Sequence, residues 1–406
     1  MDSLIYKITD KKIWIEYLEF KKKQASFTNN EVNELEKYIQ DKKYLDIANK
    51  IVDNKYTFSI PEKHLINKIN KESKRVVYNY NKDENMILKV ISYLVSNRYD
   101  NNYYDNLYSF RRKLSTKDAI KKLAIKKEIS NLYGYKVDIS DYFNSVNVDI
   151  LLDKMKVFFK DDLVLFNFLK ELLVNNKVNF NGNIIEENKG IMAGVPISSF
   201  LANIYLQDID EYFYKKQVLY IRYSDDIILF SDKENITKYI NKLNELIKIN
   251  KLKLNKEKIK YINLGEKWEF LGFCYNDGII DISDIAKKKI KGKIKRACRK
   301  LRRWMIKKDA SKERAIAAVI RKFNNKFFRK DETSELTWCL WYFPVINTSK
   351  SLKEIDNYMQ NSLRYIATGR YTKKNYNLRY ENLKKLGYRS LVNEYYNFKK
   401  GRIENE

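Results

Sequence analysis

Histidine is almost missing from this chain of 406 residues: His64 stands alone. One imidazole excludes His-cluster zinc chemistry and leaves a His-based triad without support. Cysteine is scarce as well. Cys274, Cys298 and Cys339 are too widely spaced for a metal motif or a disulfide framework, and a reducing cytoplasm is the setting expected. Three prolines (Pro61, Pro196 and Pro344) and eleven glycines leave no room for long flexible linkers. Uncharged apolar runs stay short of the roughly 18 residues that a bilayer span needs. The N-terminal MDSLIYKITDKK lacks the apolar stretch and cleavage site of a secretory signal. No membrane partner is expected.

What is abundant is positive charge. Eighty Lys and Arg face 52 Asp and Glu, a net +28. Part of that excess reflects a chain rich in Lys, Asn, Ile and Tyr generally. The rest points to a polyanionic partner, because neutralised phosphates release counterions. Hydrophobic residues make up 44% of the chain, enough for a packed core and for two or three domains.

Residues 1 to about 60 carry helical apolar spacing through Trp14, Tyr17, Leu18, Leu35, Tyr38 and Ile39. ESKRVVYNY at 72–80 reads as a short basic strand, and helical spacing resumes over 85–99. LYGYKVDISDYF is a strand entering a tight bend. KGIMAGVPISSFLANIYLQDIDEYF is a glycine-containing loop running into an apolar helix, and QVLYIRYSDDIILFSD is a hairpin turning at Ser224 and Asp225. An amphipathic helix is expected over 236–250. A second hairpin, WEFLGFCYNDGIIDI, turns at Asn276-Asp277-Gly278.

Chemistry concentrates in the carboxylates. Asp225 and Asp226 sit side by side at a hairpin turn, where only a bend can aim both at one point. Two close like charges repel unless a cation lies between them. Asp138 ends an apolar strand and is the third carboxylate that a two-metal site requires. Taken singly, each of these also fits a solvated turn or an ordinary strand end.

Their order along the chain adds to this. VDISDYFNSV, GIMAGVPISSFLANIYL, YIRYSDDIILF, LKLNKEKIKYI and WEFLGF follow one another within residues 137–273. They resemble, in sequence and order, palm motifs A to E of the reverse transcriptases. LYSFRRKLSTKDAI at 107–120 resembles the fingers motif before them. The resemblance implies an α+β right-hand polymerase: an N-terminal helical extension over 1–60, fingers over 61–131, a palm over 132–284, and a helical thumb with C-terminal extension over 285–406. It implies that Asp138, Asp225, Asp226 and the Ile139 carbonyl hold two Mg²⁺ ions, with Mn²⁺ as a substitute. Phe143 becomes the aromatic under the sugar that excludes a 2′-hydroxyl. Arg111, with Lys74 and Arg75, becomes the triphosphate grip. Gly190 and Gly194 frame the loop against nucleotide and template. Lys258 becomes the acid that protonates pyrophosphate. Trp268 to Phe273 matches the primer grip. The chain departs from the family at Met192 and Ala193, where a proline and a glutamine are usual, and at Ser199.

Residues 287–308 hold thirteen bases and no acid, with Ile290, Ile294, Ala297, Leu301 and Trp304 on one helical face. After a palm this suits a thumb helix on a template–primer duplex. The Trp- and Tyr-rich stretch 338–395 suits helix packing or base stacking. The resemblance is to stand-alone bacterial reverse transcriptases of the defence-associated, abortive-infection and unknown-group kinds, related to retron and group II intron enzymes. It implies a cytoplasmic RNA-directed DNA polymerase taking dNTPs and a noncoding RNA template to a DNA product, in defence against phage. Template-independent synthesis, RNA-dependent RNA synthesis and a silent RNA-binding scaffold are the alternatives. The oligomeric state, template and primer are not encoded legibly.

Overall fold

The computed structural model describes residues 2–24, 27–67, 74–328, 337–370, 372 and 377–403. They form two compact units. The first gathers residues 1–22, 27–119 and 131–264; the second gathers 23–26, 120–130 and 265–406. The first unit therefore takes in most of the expected extension, fingers and palm, while the second adds 23–26 and 120–130 to everything from residue 265, within the expected palm, onward.

In the first unit the helices Lys11–Lys22, Asn29–Gln40 and Tyr44–Val52 fill the stretch that carries helical spacing. Trp14 locks them: its ring stacks on Tyr44 at 4.5 Å, and its indole N–H reaches the Ile8 carbonyl at 2.8 Å. Thr28 and Glu31 cap the second helix reciprocally, each satisfying a backbone N–H that the first turn leaves open. The hairpin β1 (Glu62–Asn67) and β2 (Lys74–Asn79) comes next, followed by the helix Lys82–Tyr99. β3 (Tyr133–Asp138) enters the core. β4 (Lys177–Phe180) and β5 (Asn183–Glu186) extend the first hairpin into a four-stranded sheet of order β2-β1-β4-β5.

The second sheet of this unit carries the carboxylates. β6 (Leu219–Tyr223) and β7 (Asp226–Ser231) pair around a two-residue turn, and β8 (Lys260–Ile262) closes the order β6-β7-β3-β8. Every neighbouring pair is antiparallel. Val137, Tyr135, Ile227, Ile228 and Leu229 are all buried, and since successive side chains alternate faces, β7 is covered on both sides.

In the second unit β9 (Trp268–Phe270), β10 (Phe273–Asn276) and β11 (Ile279–Ile282) form a meander. The Asp277-Gly278 turn is the one expected. The Leu271-Gly272 turn lies outside the expectation, because Leu271 takes a left-handed φ of 49° that leucine seldom adopts. The helix Asp284–Lys307 then packs on Lys312–Phe328 and Lys350–Thr368. It buries Ile290, Ile294, Ala297 and Cys298, with Leu301 and Trp304 half-buried. Lys288, Lys289, Lys293, Lys295, Arg296, Arg299, Lys300 and Arg303 are exposed. Among the described C-terminal aromatics Tyr342, Phe343, Tyr388 and Tyr395 are buried, which is the packing use. Asp356, buried with them, accepts from the Tyr388 hydroxyl and from the N–H groups of Leu391 and Val392, capping the last helix. No described helix is long and apolar enough to cross a membrane.

Candidate active site

The site is built where β3 ends and β7 begins. In their register Asp138 lies directly opposite Asp226. Asp225 occupies the turn before it, beside Ser224, whose φ of 59° belongs to a position glycine usually fills. This turn is held from below. The Ser224 N–H donates to Ser109 Oγ at 2.8 Å, and Arg222 Nη1 donates to the Ser224 carbonyl. Arg222 is fully buried, with Nε at 2.8 Å from Asp210 Oδ1 and Nη2 on the other carboxylate oxygen. Asn203 joins Ser109 to the same network.

Asp138 is 5% exposed. Its carbonyl accepts the Asn255 N–H at 2.8 Å, which fixes the 3₁₀ turn Lys256–Lys258 beside it. That turn delivers the Lys258 ammonium to Asp138 Oδ1 at 2.6 Å. The buried Ile139 donates its N–H to the Asp225 carbonyl at 3.1 Å, tying the ends of both strands together.

The charges respond as a cluster. Burial first, then Asp225 and Asp138, lift the Asp226 carboxyl to about 6. Burial and Asp138 raise Asp225 as well. Burial pulls Lys258 down, but its hydrogen bond to Asp138 and the other two carboxylates outweigh this and hold it above its ordinary value. Among the described residues no group of three or more His, Cys, Asp and Glu side chains is arranged to hold a metal ion as it stands. The donor set nonetheless suits a hard divalent cation. It is all carboxylate oxygen, and it already draws a cation, the Lys258 ammonium, against Asp138.

Phe143 follows Asp138 by five residues and is half-buried, with Tyr142 and Phe110 set edge-on at 5.7 and 6.4 Å. Its carbonyl accepts the Ile191 N–H at 2.9 Å, so the loop 190–194 lies against it. A Cβ on Gly190 would fall 2.3 Å from that carbonyl, and one on Gly194 would fall 2.9 Å from the Tyr78 carbonyl. Only glycine fits these two positions, and both also take positive φ. The Tyr78 N–H donates to the Ala193 carbonyl at 2.8 Å, which fastens the loop to β2. Lys74 and Arg75 are exposed at the start of that strand.

Arg111 departs from the expectation. Its guanidinium donates to Asp100 at 3.0 Å and to the carbonyls of Tyr104 and Leu107, and its side chain is 6% exposed. Here it braces the loop 100–111. Ser109, Arg222 and Asp210, which hold the turn before Asp225, are residues that the sequence reasoning missed. A signal was present: an arginine inside the apolar strand LYIRY must be buried, and a buried guanidinium requires a carboxylate.

A family model described as reverse transcriptase (RNA-dependent DNA polymerase) matches residues 60–275, which covers both aspartate-bearing strands and the glycine loop. The chain belongs to the reverse transcriptase family. Solved structures similar to this reverse transcriptase include apo telomerase from Candida tropicalis truncated from its C-terminal domain, at 15% identity and TM-score 0.46, covering 56% of this chain and 55% of that one. Telomerase from Candida albicans with a fragment of telomeric RNA matches at 13% identity and TM-score 0.45, over 86% and 68% of the two chains. The Candida tropicalis complex matches at 14% and 0.47, over 81% and 64%. This reverse transcriptase thus spans about half the length of the first of these, at 55%. No curated protein matches it in sequence.

Proposed function

We propose that the chain is an RNA-directed DNA polymerase that adds deoxynucleotides to a primer 3′-hydroxyl. The observation that carries this is the placement of Asp138 opposite Asp226, with Asp225 in the adjoining turn and Lys258 at 2.6 Å from Asp138. Asp138, Asp225, Asp226 and the Ile139 carbonyl are the groups that would hold two Mg²⁺ or Mn²⁺ ions, which would supply charge stabilisation at the transferring phosphoryl group. The chain's own groups do the rest. Lys258, kept protonated among carboxylates, is the acid whose Nζ proton can go to a departing pyrophosphate oxygen. Phe143 sits under the sugar and leaves no space for a 2′-hydroxyl. Gly190 and Gly194 let the loop backbone approach nucleotide and template. Lys74 and Arg75, exposed on β2, are the triphosphate contacts. The partners are an RNA template, dNTPs and the DNA product. A noncoding RNA template and a role in bacterial defence against phage, in the cytoplasm, complete the reading.

Primer extension on a defined RNA template tests it. The expected product is complementary DNA made only with dNTPs, and Phe143→Ala should narrow the preference for deoxynucleotides by roughly tenfold or more. Growth of the primer with a single dNTP and no RNA, or with ribonucleotides alone, would overturn it.

A further inference from the structure

Away from the carboxylates, the first unit buries a charge without a partner. Lys189 is 3% exposed, and among the described residues its Nζ meets no hydrogen-bond acceptor. A buried ammonium left unpaired is strongly unfavourable. Burial holds it down to about 8 despite the pull of Glu187. Glu187 does not serve as its counterion: that carboxylate is taken by Lys63 and by the Tyr78 hydroxyl.

Lys189 lines a cleft of about 440 Å³, within the roughly 300–1,000 Å³ of small-molecule sites. Asn147, Asn175, Asn176 and Asn188 line it too. Three of these turn the side-chain oxygen to a backbone N–H: Asn147 to Ile150, Asn175 to Lys177 and Asn188 to Gly190. Their NH₂ ends are the groups left to meet acceptors. Leu173 and Val174 supply an apolar wall, and three acids line the cleft as well: Asp149 and Glu186, both exposed, and Glu187, held by Lys63 and Tyr78. The residues after Lys189 are held in an unusual backbone, with positive φ at Gly190, Met192 and Gly194.

We propose that this cleft is a nucleotide-binding site separate from the carboxylate site, where the Lys189 ammonium takes a phosphate and the asparagine amides take sugar hydroxyls and base edges. The requirement is a hard oxyanion joined to hydrogen-bond acceptors and a small apolar body, which a nucleotide meets. The nucleotide comes either free or as one unit of a strand. Through Gly190, which lies against the Phe143 carbonyl, the occupied cleft sits one loop away from the sugar gate. The inference stands on the cleft and does not require polymerase activity.

The experiment compares the full chain with its Lys189→Met variant, which keeps the length and removes the charge. Two probes are used, adenosine monophosphate and a single-stranded RNA 12-mer, each at two salt concentrations, together with thermal melting of the free proteins. The expected result is a free K189M protein that melts higher than wild type yet binds the cleft's probe at least fivefold more weakly. Weaker binding of both probes assigns a free nucleotide. Weaker binding of the RNA alone, with the salt slope reduced by about 0.7, assigns a strand. Equal binding of both probes by the two proteins would overturn the proposal. So would a lower melting temperature for K189M, since it would show that the ammonium has an internal stabilising partner.

Discussion

At the scale of single residues, two of the unfavourable arrangements in the first unit stand out. The left-handed Ser224 is held by Ser109 and Arg222, and the ammonium of Lys189 is buried without an acceptor among the described residues. Both cost stability in the free protein, and such costs gather at functional sites. The Lys189 case has a definite pH signature. Its folded value, about 8, lies below its ordinary 10.5, so between these the unfolded chain binds more protons and stability rises with pH. The gain in melting temperature on Lys189→Met should therefore be full below about pH 8. It should shrink as pH climbs and vanish above about 10.5. Parallel melts of the two proteins across that range check it, and a difference independent of pH would contradict it. The convergence of the aspartates and the two glycine-only loop positions are legible in the sequence because motif order marks them, and the same order nominates Phe143. Ser109 and Lys189 are not, since a serine in a loop and one lysine among 80 bases carry no pattern of their own. Their meaning lies in what does or does not surround them.

At the scale of elements, periodicity carries most of the information. The strands flanking Ser224 and Asp225, the helix Ile236–Ile249 and the basic helix Asp284–Lys307 fall where the spacing places them. The departures come from what local pattern does not hold. β9 joins β10 through a turn at Leu271 that local preference disfavours, and β4 meets β1 in parallel at Glu62 and Asn179, far apart in the chain. Arg111 has the surroundings of a ligand-binding side chain in sequence, but Asp100, brought beside it by the fold, takes its guanidinium. The helix Asp284–Lys307 supports a prediction of its own. Its exposed bases should grip phosphates without reading sequence. Replacing Lys288, Lys293, Lys295 and Arg299 with Gln should weaken template–primer binding. Its log–log salt dependence should flatten by roughly 0.9 for each duplex phosphate no longer neutralised. Fluorescence anisotropy at several salt concentrations would measure this. An unchanged slope would remove this helix from the nucleic-acid surface.

For the whole molecule, the proposed function divides the labour between a net charge of +28 and a partly buried acidic cluster: spread bases would supply affinity, and a few converging carboxylates the chemistry. The cluster is coupled: after burial, Asp138 raises Asp225, and Asp225 and Asp138 together raise Asp226. Groups that work as a unit lose activity non-additively. The most direct measurement is single-turnover extension of a primer on an RNA template by Asp138→Asn, by Asp226→Asn and by the two combined, with RNA affinity measured on the same preparations. The account predicts a loss of about a thousandfold or more for each single variant, little further loss for the pair, and RNA affinity within a few-fold of wild type. Extension at near wild-type rate by either single variant, with the protein folded and RNA bound, would contradict it.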